Sequence, residues 1–530
     1  MSTIPKTARL DAVIPASHQK VFATLLRVNA EKGLNTTLRV AGGWVRDMLL
    51  GLYSSDIDIA IESPSGSVVS GERFANEVSA FEATESGKAH TVGVIRVNPA
   101  LSKHIETATV CVHGIPVEFC ALRADEYSSD TRIPQVRPAT PLGDSLRRDF
   151  TVNALFYNLN TNIVEDYTTG LEDLQGCIIR CPLSPKETFF DDPLRLLRGV
   201  RFVGQLGKLN FSLHNNILES VDDELLDKLS HKVSRERAGT EFTKMMTTAF
   251  PEKCVELLFD MRLLQKYLLA EVYMKQLPGK KKFSSEIERI EYLSDKEINS
   301  QRALESVMEL NTIVCPLFSK PSSPLFVEEK GRLIAMMFEL IIPFFRSVPP
   351  PEVEKRLYAL CINGLKLPLY TFHSIQAMIN CYNVLRSYSL SITALHQADV
   401  TDPTKLIVFE ALGHLNNSSV ISKAFNIVLY TFLVLEENFN LLHSTGEPNK
   451  VMDFYISLWR RLEAQQGLLN AYQLQLPVKG SDLRNIKGIK PINIGALLID
   501  IRKKVILNPS ISREEIIDWL KEVGGSNLKT

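Results

Sequence analysis

The sequence predicts an α+β domain at the N-terminus followed by an all-α remainder, and three observations carry that reading. Short β-rich runs alternate with helical ones up to about residue 180; the alternation of β-branched residues stops after Pro193; helical periodicity then continues nearly to the end of the 530 residues. The composition, 45% hydrophobic and 23% charged with no low-complexity tract, is that of an ordinary globular chain.

In chain order, the expected elements are a strand at LRVAGG, a helix through GWVRDMLLG, and strands at DIDIAI, GVIRV, ETATVCV, PVEFCAL and NIVEDY. The strands are rich in β-branched and alternating apolar residues, and paired glycines punctuate the step from the first strand to the helix. Beyond Arg147, Arg148 and Asp149 an apolar stretch reads as a helix carrying Asn153. Asp192 followed by Pro193 reads as the start of another helix. Breaks at Pro278–Lys282, Ser319–Pro324, Pro349–Pro351 and Gly446–Asn449 separate the later helices. The expected parts are a sheet domain over 1–180, a helical unit over 181–250, and helical parts over 251–400 and 401–530.

Several function classes fall away. Sixty Lys and Arg against sixty-one Asp and Glu leave a net charge of −1, so a polyanion site must be a local patch. The longest apolar stretches, Ala335–Phe345 and Ile427–Leu435, are far short of the roughly 20 residues that cross a bilayer. Eight scattered cysteines make no disulfide framework, and Cys177 with Cys181 is a poor zinc site without further ligands. With no hydrophobic leader in view, the expected compartment is the cytoplasm, and Lys6 and Arg9 are only a faint organellar signal.

The chemistry concentrates in Asp56-Ile57-Asp58-Ile59-Ala60-Ile61. Strand alternation puts both aspartates on one face and the isoleucines on the other. Two carboxylates held this close repel unless a cation neutralises them, and a hard oxygen site suits Mg²⁺. Two metals about 4 Å apart would clamp the attacking and leaving oxygens of a phosphoryl transfer. The bland alternative is an edge strand with a polar face. Gly42 and Gly43 let backbone approach a triphosphate at a helix N-terminus, and Arg46 lies one turn further on. No GxxxxGK[ST] occurs, so no P-loop cradles the nucleotide.

GGWVRDMLLG followed by SSDIDIAI resembles the head signature of the polymerase-beta-like nucleotidyltransferases, and in detail that of class II tRNA nucleotidyltransferases, the CCA-adding enzymes. SKHIETAT, IPVEFCALR, LRRDFTVNALFYN, VEDYTTGLEDLQGCIIR, DDPLRLLRGVRF and VSRERAGTEF are similar to the family's further motifs in the family's order, over about residues 38–246. The KHIETAT segment is closer to eukaryotic members. Asp191 stands where members commonly carry Glu. The resemblance implies a nucleotidyltransferase head, then a helical neck, body and tail, and an enzyme that adds CCA to tRNA from CTP and ATP with Mg²⁺, releasing pyrophosphate.

It also implies roles. Asp56 and Asp58 would be the metal ligands, and Glu118 a third carboxylate, as ligand or general base for the tRNA 3′-hydroxyl; a solvent-facing strand Glu is the alternative. Gly42, Gly43 and Arg148 would meet phosphate, with Arg46 and Asn153 also among the nucleotide-binding residues; Asp149 would accept a hydrogen bond from the ribose, unless Asp149 and Thr151 merely cap a helix. Asp192 would accept from the cytosine N4 or adenine N6 amino group and Arg195 would donate to the neighbouring ring nitrogen, which rejects uracil and guanine. Arg198 and Arg201 would reach the triphosphate or primer end. The alternative makes Asp192 a cap and the arginines a solvated stripe above Leu194, Leu197 and Val200.

Folded RNA hides its base edges, so the helical remainder would hold tRNA by shape and phosphate contacts. Two basic clusters suit this: Lys275 with Lys280, Lys281 and Lys282, and Lys479, Arg484, Lys487, Lys490, Arg502, Lys503 and Lys504. The alternatives are a poly(A) polymerase, which shares the head motifs, and a catalytically silent RNA-binding protein.

Overall fold

The computed structural model describes residues 6–10, 14–63, 69–86, 91–95, 107–126, 135–268, 329–345, 350–387, 400–415, 424–425, 427–429, 432, 448–465, 467–484, 486 and 494–526. The breaks at 278–282 and 319–324, residues 102–106 of SKHIETAT, the cluster of Lys275 and Lys280–Lys282, and Lys487 and Lys490 lie outside the described residues. The chain divides into two compact units, Met1–Leu263 and Leu264–Thr530.

The first unit is built on an eight-stranded mixed sheet. Its strands are β1 (Lys6–Ala8), β2 (Thr37–Ala41), β3 (Ile57–Glu62), β4 (Gly93–Ile95), β5 (Thr107–Val112), β6 (Ile115–Ala121), β9 (Phe156–Asn158) and β10 (Ile163–Asp166), in the order β1-β10-β9-β2-β3-β6-β5-β4. Separately, β7 (Arg123–Glu126) pairs antiparallel with β8 (Gln135–Pro138). Within the eight-stranded sheet only β3 and β6 run parallel, in the register Ile57↔Val117 and Asp58↔Glu118. β3 is therefore interior, bonded to β2 on one side and β6 on the other, and the edge-strand reading gives way.

Strand alternation sorts the two faces. Ile57, Ile59, Ile61, Val117 and Phe119 are buried against α1 (Ala16–Glu31), α2 (Gly43–Leu49) and α3 (Gly71–Ser86) through Val21, Leu25, Trp44, Val45, Phe74 and Val78. Each such side chain contributes roughly 1.5–3 kcal/mol. On the other face the buried apolar group is small, Ala41, Ala60, Leu122 and Phe156, and Asp58 is exposed beside it.

The helix expected to carry Asn153 is a single 3₁₀ turn, Thr151–Asn153, and the chain passes directly into β9. Thr151 Oγ1 donates to Asp173 at 2.7 Å and Asn153 Nδ2 to Asp149 at 3.1 Å, so tertiary partners hold the turn and the β-branched, aromatic run extends into the sheet. Asp56 immediately precedes β3 instead of lying within it.

Beyond the sheet come α4 (Pro141–Leu146, earlier in the chain), α5 (Gly170–Gln175), α6 (Pro185–Asp191), α7 (Leu194–Gln205), α8 (Asn215–Glu219), α9 (Asp223–Lys232), α10 (Arg235–Met246) and α11 (Pro251–Asp260). The one strand pairing among them is β11 (Ile178–Ile179) with β12 (Ser212–Leu213). Leu194, Leu197, Val200 and Phe202 bury one side of α7. Gly199 is required there: a Cβ would lie 2.9 Å from Phe150 Cζ.

The described part of the second unit is helical, with helices at Glu329–Phe345, Pro350–Tyr358, Leu369–Ser387, Asp402–Leu415, Pro448–Ala464, Ile494–Leu507 and Arg513–Ser526. No described helix is long and apolar enough to cross a membrane.

Candidate active site

The parallel register places Asp58 of β3 directly beside Glu118 of β6, both exposed on the sheet's open face. Their neighbours in each strand, Ile57, Ile59, Val117 and Phe119, are core residues, so the two acids cannot turn away from one another without unseating the sheet. The Asp58 carboxyl is pushed up to about 6, by loss of hydration first, then by the charge of Glu118, with Asp56 adding to it and Arg148 opposing. Oxygen donors crowded in this way fit a hard divalent cation, whose attraction for each carboxylate would outweigh their mutual repulsion. Among the described residues no group of three or more His, Cys, Asp or Glu is preassembled for a metal. Mg²⁺ held through one or two carboxylates, water and substrate oxygens needs none.

Gly42 enters α2 with φ +72°, and a Cβ there would lie 2.9 Å from Arg148 Nη1. That glycine therefore makes room for an arginine from a distant segment as well as for the turn. Arg148 donates to Asp144 Oδ2 through Nε at 3.1 Å and Nη2 at 2.9 Å, and to the Asn153 carbonyl at 3.1 Å, and it lies over the Phe156 ring. Arg46 is placed differently from a phosphate ligand. It is buried, paired with Asp47 at 2.7 Å, and donates to Asn153 Oδ1 at 2.6 Å. The partner acid Asp47 is itself raised, by burial first, with Arg46 opposing and Asp56 adding.

Asp149 is spoken for on both oxygens. Oδ1 accepts from Phe150 N at 2.8 Å and Asn153 Nδ2 at 3.1 Å, while Oδ2 accepts from Arg198 Nε at 2.8 Å and Nη2 at 2.7 Å. Burial works against its charge, but Arg198 and the hydrogen bonds outweigh it and hold the carboxyl below the usual carboxylate range. A ribose hydroxyl would have to share or displace one of these donors. Asp149 is not a cap in the expected sense, since its bond goes to the next residue and the 3₁₀ turn has no side-chain cap.

Nor do the arginines of α7 form a solvated stripe. Arg198 pairs with Asp149 at 2.7 Å, and Arg201 donates through Nε to Glu241 Oε2 at 2.6 Å and through Nη1 to Gln205 at 3.1 Å. Both guanidiniums lie over the Phe202 ring. A bonded chain thus runs Asp47, Arg46, Asn153, Asp149, Arg198, with Glu241 of α10 at 4.0 Å from Arg198. Asp192 Oδ1 accepts from Leu194 N at 3.2 Å, although the cap position of α7 is Pro193 and carries no side-chain cap, and Oδ2 accepts from Arg237 Nη2 at 2.9 Å. Arg195 Nη2 donates to the Arg147 carbonyl at 2.7 Å. Asp192 accepts one bond on each oxygen, so each keeps a further lone pair, and Arg195 keeps donors beyond the one given to the Arg147 carbonyl; both can still meet a base edge.

Four supporting residues escaped the sequence reading: Asp47, Asp144, Arg237 and Glu241. Asp144 was within reach of it, because it precedes Arg147 and Arg148 by three and four residues, the spacing of helical ion pairs. Arg237 meets Asp192, just ahead of α7, and Glu241 meets Arg201 of α7, both only through tertiary packing. In the second unit, Arg502 of the expected basic cluster turns inward, donating to the carbonyls of Ala471 at 2.6 Å and Leu474 at 3.1 Å.

A family model described as the poly A polymerase head domain matches residues 38–180. The mitochondrial CCA tRNA nucleotidyltransferase of Candida glabrata is 43% identical over 221 residues, 41% of this chain and 40% of that protein. The chain thus spans well under two thirds of that relative's length. The tRNA nucleotidyltransferase cca1 of Schizosaccharomyces pombe is 36% identical over 501 residues, 92% of each chain. Among solved structures, an apo CCA-adding enzyme superposes with a TM-score of 0.62 at 17% identity, covering 97% of this chain and 98% of the other, a likeness of fold.

Proposed function

The chain belongs to the tRNA nucleotidyltransferase family, and from that premise we propose that it adds C, C and A to the 3′ end of tRNA, taking CTP and ATP and releasing pyrophosphate. The observation that carries this reading is the side-by-side placement of Asp58 and Glu118 on parallel neighbouring strands, with Asp56 just ahead. Nucleotidyltransferases of this family use divalent metal ions; here Mg²⁺ would be held by Asp56 and Asp58 and would stabilise charge on the attacking and leaving oxygens. Glu118 accepts the proton of the tRNA 3′-hydroxyl as that oxygen bonds to the α-phosphorus, and the α–β bond breaks. The backbone at Gly42 and Gly43, with Arg148, receives the triphosphate, and Arg46, Asn153 and Asp149 hold that wall in place. Asp192 and Arg195, steadied by Arg237 and the Arg147 carbonyl, read cytosine or adenine. Arg198 and Arg201 act through their ion pairs, as supports of the reading helix.

In this reading, 1–180 is the catalytic head, 181–250 the neck, 251–400 the body and 401–530 the tail that holds tRNA. The cytoplasm is the proposed compartment, and mitochondrial relatives such as that of Candida glabrata favour a second pool there. The description of the family model over 38–180 keeps one rival in play, a poly(A) polymerase. Labelled CTP and ATP supplied with tRNA that lacks its terminus decide: we expect extension by wild type, none by Asp58→Ala, and tRNA binding by both. Absence of extension by wild type would reject the function, a long A tail would favour the rival, and normal extension by Asp58→Ala would reject the metal assignment.

A further inference from the structure

One buried carboxylate stands behind both halves of the site. Asp144, on α4, is 1% exposed. Its Oδ1 accepts from Arg147 Nε at 2.9 Å and Nη2 at 2.6 Å, and its Oδ2 accepts from Arg148 Nε at 3.1 Å and Nη2 at 2.9 Å. Burial disfavours its charge, yet the two guanidiniums outweigh that and hold the carboxyl below its ordinary range. One guanidinium would neutralise the acid; two leave net positive charge beside a surface read as binding a triphosphate.

The two arms then diverge. Arg148 reaches forward to the Asn153 carbonyl and over Phe156, occupying the space that Gly42 leaves. Arg147 works through its backbone, since its carbonyl receives Arg195 Nη2 at 2.7 Å, and its own Nε also reaches the Arg123 carbonyl at 3.1 Å. Resting on the reading of Arg148 and Arg195 given above, we propose that Asp144 is a positioning residue that sets the phosphate-binding arm and the base-reading arm at once, the second through the carbonyl of Arg147. It touches neither substrate nor metal.

The experiment uses the full chain with each of the four nucleoside triphosphates supplied singly, on tRNA lacking its terminus for the first addition and on tRNA ending in CC for the addition of A. Asp144→Asn keeps the shape and removes the charge; it should raise the KM for CTP and ATP about tenfold and raise the rate with UTP or GTP relative to CTP. Arg147→Gln frees the reading arm alone, so the same ratio should rise while the loss with CTP stays smaller than in Asp144→Asn. These ratios do not depend on how much of a variant is folded, so partial unfolding does not blur them. Wild-type ratios in both variants, with activity falling only in step with folded protein, would overturn the proposal and leave Asp144 a structural brace. The wild-type chain run in parallel separates the two claims: no extension by it rejects the proposed function, whereas extension by it with unchanged variant ratios rejects the clamp.

Discussion

In the proposed reaction Asp58 bears opposing demands: it must be charged to hold a cation, yet loss of hydration and the charge of Glu118 push its carboxyl up to about 6. A group whose pKa is raised on folding stabilises the fold when protonated and loses that contribution as pH rises through the folded value. In metal-free protein, Asp58→Asn should therefore melt above wild type at pH values well above 6, and the gain should vanish as pH falls into the ordinary carboxylate range. Melting curves at several pH values check this; a gain that persists in acid would contradict it. For Asp192→Ala or Arg195→Ala, loss of a bidentate contact worth about 1–3 kcal/mol should relax rejection of UTP and GTP by roughly ten- to a hundredfold. Steady-state rates with single nucleotides read this out. The acids were legible in sequence because a strand's period of two is local, and so was the regular spacing of Arg195, Arg198 and Arg201. The partners of those arginines, Arg147, Asp149 and Glu241, were not, since each contact spans some forty residues or more.

At the scale of elements, the site depends on one parallel pairing and one tight turn. The pairing of β3 with β6 makes Asp58 and Glu118 neighbours although sixty positions separate them, and no local pattern announces it. The turn at Gly42 was visible as a glycine pair, but its second purpose, room for Arg148, was not. Gly42→Ala should cost about 1–2 kcal/mol or more, from the positive φ alone, and should also displace Arg148. Denaturant unfolding gives the first effect and the KM for CTP the second; a variant as stable and as tight as wild type would contradict both. The 3₁₀ turn in place of a helix at Asn153 shows the limit of periodicity, because FTVNALFYN satisfies a helical and an extended pattern over so short a run.

At the scale of the whole molecule, every residue assigned to chemistry or base reading lies in the first unit, Met1–Leu263. The change from sheet to helices was legible because the loss of β-branched alternation is a long-range signal, summed over many residues. The basic tail was legible as charge alone: Arg502 counted as a surface cation in the sequence but serves as an internal brace. Lys503 stays on the surface, so Lys503→Glu should weaken tRNA binding and lower its salt dependence without changing nucleotide choice. Filter binding at graded salt tests that against unchanged affinity. The central claim is that side chains, with no complementary strand, choose each added nucleotide and that addition then stops. Sequencing the 3′ ends of tRNA extended by wild type with all four nucleotides present tests it most directly: the account predicts ends that read CCA and go no further, and ends carrying U or G, or running on in A, would contradict it.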